Sequence, residues 1–208
     1  MSTPMQASAK SLRRPVFSTK DITVIGMMIA LTIIMCLTPL GAITLPMIRI
    51  TIAHVPILFT AILFGLPQGL MVALAFGCTT LMIALTSPVS LLDPFFVNPL
   101  ISVAPRLLIP VTAYYVYRGL YRLIGTKKGG MTVAVAIGLA VGNLTNTFGV
   151  YTMLYLIYAR QILEKTGTPA LTLIIGLMST STLIKCLAIV AVGTPIVVAL
   201  QKTLKFIK

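Results

Sequence analysis

The sequence is poor in the residues that keep a soluble surface wet. Only 9% of its 208 residues are charged, against 58% hydrophobic. A soluble domain carries about 25% charged residues, so water cannot be the solvent for most of this chain, and lipid is the alternative. Acids are scarcer still: Asp21, Asp93 and Glu164 are all there are. With one histidine, His54, and no second ligand close to it in sequence, a metal or catalytic role for that ring is not expected. The three cysteines, Cys36, Cys78 and Cys186, form no CxxC and lie in apolar surroundings. They read as small core residues. No Walker motif, HExxH, GxSxG or carboxylate pair occurs. The chain therefore does not power transport with ATP by itself, and it lacks the groups used by intramembrane proteases and lipid-phosphate transferases. It is read as a non-enzyme that binds no cofactor of its own.

What is present is positive charge and long apolar runs. The net charge is +13, but the cations fall in short segments between hydrophobic stretches. That placement marks membrane topology and lipid headgroups rather than nucleic acid. Six apolar segments follow: 22–40, 54–65, 70–85, 99–121, 131–159 and 170–200. The second is short enough for a half-length or tilted helix. The stretch 41–53, with Pro, Gly and β-branched residues, reads as a structured loop, LPQG (66–69) as a tight turn, and 86–98 and 160–169 as loops. The expected fold is an all-α integral membrane protein of six helices, with a basic segment at 1–20, a membrane domain at 21–201 and a basic tail at 202–208. The first apolar run exceeds a signal-peptide core and is expected to be retained as a span.

Orientation follows from the cations. Lys10, Arg13, Arg14, Lys20, Arg118, Arg122, Lys127, Lys128, Lys202, Lys205 and Lys208 fall on one side, and only Arg49, Arg160 and Lys165 on the other. Both termini are expected in the cytoplasm. No internal repeat is evident, which argues against an inverted-repeat transporter.

Two cations interrupt the spans, Arg106 and Lys185. An ionisable group within the bilayer costs about 2.5–3.5 kcal/mol on insertion scales and marks a cavity or a partner. Asn98, Ser102 and Arg106 recur at four-residue spacing and share a face of segment four. Asn143, Thr147, Tyr151 and Tyr155 do the same on segment five, beside Asn146, as do Ser181 and Lys185 on segment six, beside Thr182. Converging, these stripes make a pocket open to the outside. No acid lies within a span, so an anionic ligand is the natural complement, and Asp93 is the nearest local candidate for Arg106. Arginine grips carboxylates through two parallel hydrogen bonds. The structural alternatives are an Arg106 bonded to carbonyls freed by Pro110 or the loop, a snorkelling Lys185, and asparagines that hold helices together. Gly26 and Ala30 form a small-xxx-small pair on segment one.

The run RITIAHVPILFTAILFGLPQGLMVALAFG (49–77) and the stretch FFVNPLISVAPRLL (95–108) resemble the substrate-binding S components of energy-coupling factor (ECF) vitamin transporters, and the likeness spans nearly the whole chain. The resemblance implies partners: a transmembrane scaffold subunit and two cytoplasmic ATPases, which use ATP and Mg. It implies that Gly26 and Ala30 meet the scaffold, where the family has two alanines. It also implies a pocket near the outer face, built from helices four to six and capped by 41–53 and 86–98, in a subunit that topples in a bacterial cell membrane to deliver its ligand. Substrate-binding residues are then expected among Arg49, Asn98, Ser102, Arg106, Asn143, Asn146, Tyr151 and Lys185. The chain looks most like the pantothenate-specific members. Riboflavin, folate, cobalamin and biotin remain open as substrates, as does a stand-alone secondary transporter.

Overall fold

The computed structural model describes residues 18–39, 41–44, 49–90 and 92–206. Its helices are α1 (Thr19–Leu37), α2 (Val55–Leu63), α3 (Leu66–Thr86), α4 (Pro99–Ile124), α5 (Gly130–Thr166) and α6 (Ala170–Phe206). Five of them are long and apolar enough to cross a membrane; α2, with nine residues, is not. The basic residues Lys10, Arg13, Arg14 and Lys208 lie outside the described residues.

The helix limits follow from local chemistry. Asp21 closes the start of α1 by accepting from the Ser18 N–H, and its other oxygen accepts from the Gln68 amide of α3. The first turns of α1 and α3 therefore share one end of the bundle, here the near end. Pro56 sits in the first turn of α2, where a missing N–H costs nothing. At α2's other end Gly65 takes φ +122°, a conformation that favours glycine, so the chain reverses at one residue and α3 begins at once. The LPQG stretch is thus the first turn of α3, because Pro67 is tolerated there. Asn98 caps α4: its Oδ1 accepts from the Leu100 N–H, with Pro99 opening the helix.

The stretch expected as a structured loop holds a two-stranded antiparallel hairpin, β1 (Ala42–Thr44) and β2 (Arg49–Thr51), in register Ile43 to Ile50. It is the one departure from an all-helical fold among the described residues. The loop 86–98 contains a 3-10 turn at Asp93–Val97. The polar stretch expected as a loop at 160–169 is mostly helical. After a break at Tyr158 (φ −124°, ψ 17°), α5 runs on to Thr166 and ends at Gly167. With 37 residues it is about 55 Å long, well beyond a hydrocarbon core of about 30 Å, so its polar end has room to remain helical beyond the apolar layer.

The bundle is built around α4, which packs chiefly on α5 and α3, while α6 packs on α5. Close approach is needed where α2 is inserted. A Cβ at Gly142 of α5 would run into the Leu58 side chain, and one at Gly77 of α3 would lie 3.0 Å from the Ser102 carbonyl of α4. One apolar core joins α2, α3, α4, α5 and α6 through Ile57, Leu58, Phe76, Ile109, Leu139 and Ile189. A second lies at the far end, around Leu92, Phe95, Ile101, Leu154 and Ile162. Cys36 is buried in the first core, but Cys78 is exposed and Cys186 partly so, which corrects the expectation of three core cysteines. Helices that face lipid leave small apolar residues outside as readily as inside.

Candidate functional site

The site follows from the shortness of α2. Its nine residues rise about 13 Å from the near end, so His54, at its start, stands inside the bundle rather than at an edge. The ring is fully buried. Its Nε2 lies 3.0 Å from Asn143 Oδ1 of α5. Since the amide oxygen can only accept, Nε2 donates. Asn143, Arg106 and Lys185, on α5, α4 and α6, are buried with it. Sequence spacing identified Asn143, Arg106 and Lys185; for His54 only a metal or catalytic role had been set aside, because neither its neighbour nor its depth is encoded near it in sequence.

Arg106 is 4% exposed and heavily committed. Pro105 has no N–H, so the helix provides no donor for the Ile101 carbonyl four residues earlier. Nη1 of Arg106 donates to that carbonyl. The guanidinium also lies between two rings, 5.6 Å from the centre of Phe76 and 5.2 Å from that of Phe96, within cation–π range. Its Nε has no partner. The expected carbonyl contact is therefore real, but the proline that frees the carbonyl is Pro105. Asp93 does not pair with Arg106. Its carboxylate accepts from the Val89 and Ser90 N–H groups, each at 2.9 Å, and from the Ser90 hydroxyl, which closes its own loop.

Lys185 differs. It is 8% exposed, and none of the three acids pairs with it. The acids are elsewhere: Asp21 at the near end, Asp93 within its loop, Glu164 exposed on the last turns of α5. Antiparallel pairing of α5 and α6 through 167–169 puts Lys185 about two helical turns farther out than Asn143.

The remaining polar residues separate into two groups. Asn143, Asn146, Thr147 and Tyr151 are all buried on α5. Thr147 satisfies itself on the Asn143 carbonyl, whereas Asn143 Nδ2, Asn146 Oδ1 and, on α6, Thr182 Oγ1 are buried without a partner. Tyr155, expected on the same stripe, is exposed, because each four-residue step advances 400° and the stripe rotates off the face by about 40° a step. Ser102 is buried but gives its hydroxyl to the Phe96 carbonyl. Asn98, occupied as the α4 cap, has its Nδ2 3.5 Å from the Tyr158 hydroxyl. Both therefore hold the 86–98 loop onto α4. The side chains of Arg49 and Ser181 lie outside the described residues. Gly26 and Ala30 are exposed on α1, and a Cβ at Gly26 would meet nothing within 4 Å.

The result is a buried, cationic, hydrogen-bonding centre. No cluster of three potential metal ligands occurs among the described residues. A family model described as "ECF transporter, substrate-specific component" matches residues 20–199. No curated protein matches the sequence.

Proposed function

The chain belongs to the family of ECF transporter substrate-specific components, and from that premise we propose that it captures an anionic water-soluble vitamin, pantothenate, for import across a bacterial cell membrane. The observation that carries the choice of an anion is Lys185. A buried ammonium that none of the three acids neutralises is costly unless a ligand completes it. The carboxylate of pantothenate does so. Arg106, held by the Ile101 carbonyl and two rings, adds a second positive field from α4.

Both termini are cytoplasmic in this reading, which places the hairpin, the 86–98 loop and the end of α5 outside, above the site. Energy comes from elsewhere: a transmembrane scaffold and two cytoplasmic ATPases, with α1 presenting Gly26 and Ala30 to the scaffold. Mass spectrometry of the molecule that co-purifies with the chain, together with calorimetry on ligand-free protein, tests the assignment. Recovery of pantothenate and much weaker binding of pantothenol, in which the carboxylate is replaced by a hydroxymethyl group, supports it. Equal affinity for the acid and the alcohol overturns the anion reading. Uptake by the lone chain in vesicles, without ATPases, would make it a secondary transporter instead.

A further inference from the structure

Two buried amides on α5 are left half-used. Asn143 spends its Oδ1 on His54 and keeps a bare Nδ2 donor. Asn146, three residues on, keeps a bare Oδ1 acceptor. Residues three apart on a helix are neighbours, with Cβ atoms about 5–6 Å apart. The helix therefore presents one free donor and one free acceptor side by side, in a place where both are sealed from solvent. Buried polar groups without partners are uncommon in folded proteins, and an adjacent pair of opposite kind has a specific complement: a group with an acceptor and a donor at matching spacing. A secondary amide is such a group, its C=O facing Asn143 and its N–H facing Asn146.

We infer that Asn143 and Asn146 read an amide in the ligand, and that His54 is the positioning residue that fixes this reading. A free asparagine can rotate its amide by half a turn and exchange donor for acceptor. In Asn143 the choice is coupled to the His54 tautomer: with Nδ1 left without a partner the proton sits on Nε2, and the oxygen lies on the histidine side. His54 is itself fixed as the residue that opens α2, packed in the core with no exposure. Lys185 stands about two turns outward, so the ligand class is a carboxylic acid with an amide farther along its chain, acid end outermost. This deepens the anion reading and rests on it for the acid end; the amide end stands on separate atoms.

The test is calorimetry with three probes: pantothenate, pantothenol, and the pantothenate ester analogue in which the amide N–H is replaced by oxygen. Wild type should bind the ester about tenfold or more weaker than the amide, since a site built to hydrogen-bond a group rejects the analogue that lacks it. Asn146→Ala should bind amide and ester alike. His54→Leu should weaken amide and ester by the same factor, since both keep the C=O that Asn143 faces, and should keep the preference for acid over alcohol, while His54→Gln, which retains a donor, should recover the lost affinity. Equal wild-type affinity for amide and ester overturns this inference and leaves the anion reading intact, even if every variant fails to fold. Equal affinity for acid and alcohol, with the amide preference retained, overturns only the anion reading. Failure of pantothenate to bind at millimolar concentration overturns both.

Discussion

At the scale of single residues, the two membrane cations have different tasks. Arg106 repairs a defect that Pro105 creates: the proline removes the donor for the Ile101 carbonyl and the next residue supplies one. Arg106→Ala should therefore cost about 2–4 kcal/mol of stability, from an orphaned carbonyl and lost ring contacts. Pro105→Ala returns the backbone N–H, so the double variant should be more stable than the sum of the two single changes implies, by about 1 kcal/mol. Unfolding of the four proteins in detergent measures that coupling, and strict additivity would remove the repair role. Lys185 has nothing to repair. Lys185→Gln should leave unfolding close to wild type but weaken pantothenate binding by about 2 kcal/mol or more, without changing the weak binding of pantothenol. Titration calorimetry with the two ligands decides it. A Lys185→Gln protein that binds the acid as wild type does would show that the ammonium faces something other than the ligand.

At the scale of elements, the decisive feature is a helix that stops halfway. α2 is reversed at Gly65 by a backbone conformation that favours glycine, and its other end delivers His54 to the interior. The insertion depends on space left at Gly142, where a Cβ would meet Leu58. Gly142→Val should then push α2 away from α5, cost about 2–3 kcal/mol, and weaken ligand binding by separating His54 from Asn143. Hydrogen exchange should rise selectively in 54–63. If exchange rises uniformly, or binding is unaffected, the seating of α2 on α5 is not what positions the ring. The far-end loop shows the same economy of parts. Asp93 closes it from within, Asn98 caps α4 beneath it, and Phe96 reaches from it to Arg106. Lys165, on the last turn of α5, lies 4.9 Å from the ring of Phe95, which packs at a tilt against Tyr158. The helical end of α5 thus lies against the 86–98 loop.

At the scale of the whole molecule, the proposed reading gives binding and assembly different surfaces. The site lies among α2, α4, α5 and α6, while α1 exposes Ile22, Met27, Leu31 and Ile34 along with Gly26 and Ala30. A side chain at Gly26 would meet nothing of this chain. Gly26→Leu combined with Ala30→Leu should therefore leave pantothenate affinity within about twofold, because neither position touches the core, and should reduce co-purification with the scaffold and ATPases by filling a close helix contact. Pull-down with those subunits beside calorimetry on the isolated chain separates the two effects. A variant that assembles normally would move the scaffold contact to another face.

The membrane character, the helix order and the identity of the intramembrane cations were legible in the sequence, because each is set by composition or by spacing along one helix. Scarce charge requires lipid, apolar length sets spans, and four-residue recurrence places Ser102 with Arg106 and Asn143 with Thr147 on common faces. Contacts between residues distant in sequence were decided by the tertiary structure alone. The pairing of His54 with Asn143 spans 89 positions, and nothing local marks it. The same holds for Phe76 and Phe96 enclosing Arg106, and for Asp93 turning to its own loop instead of to that arginine. Periodicity reports which side of a helix a residue occupies; which helix faces that side is fixed by how the glycine and proline positions let the segments nest.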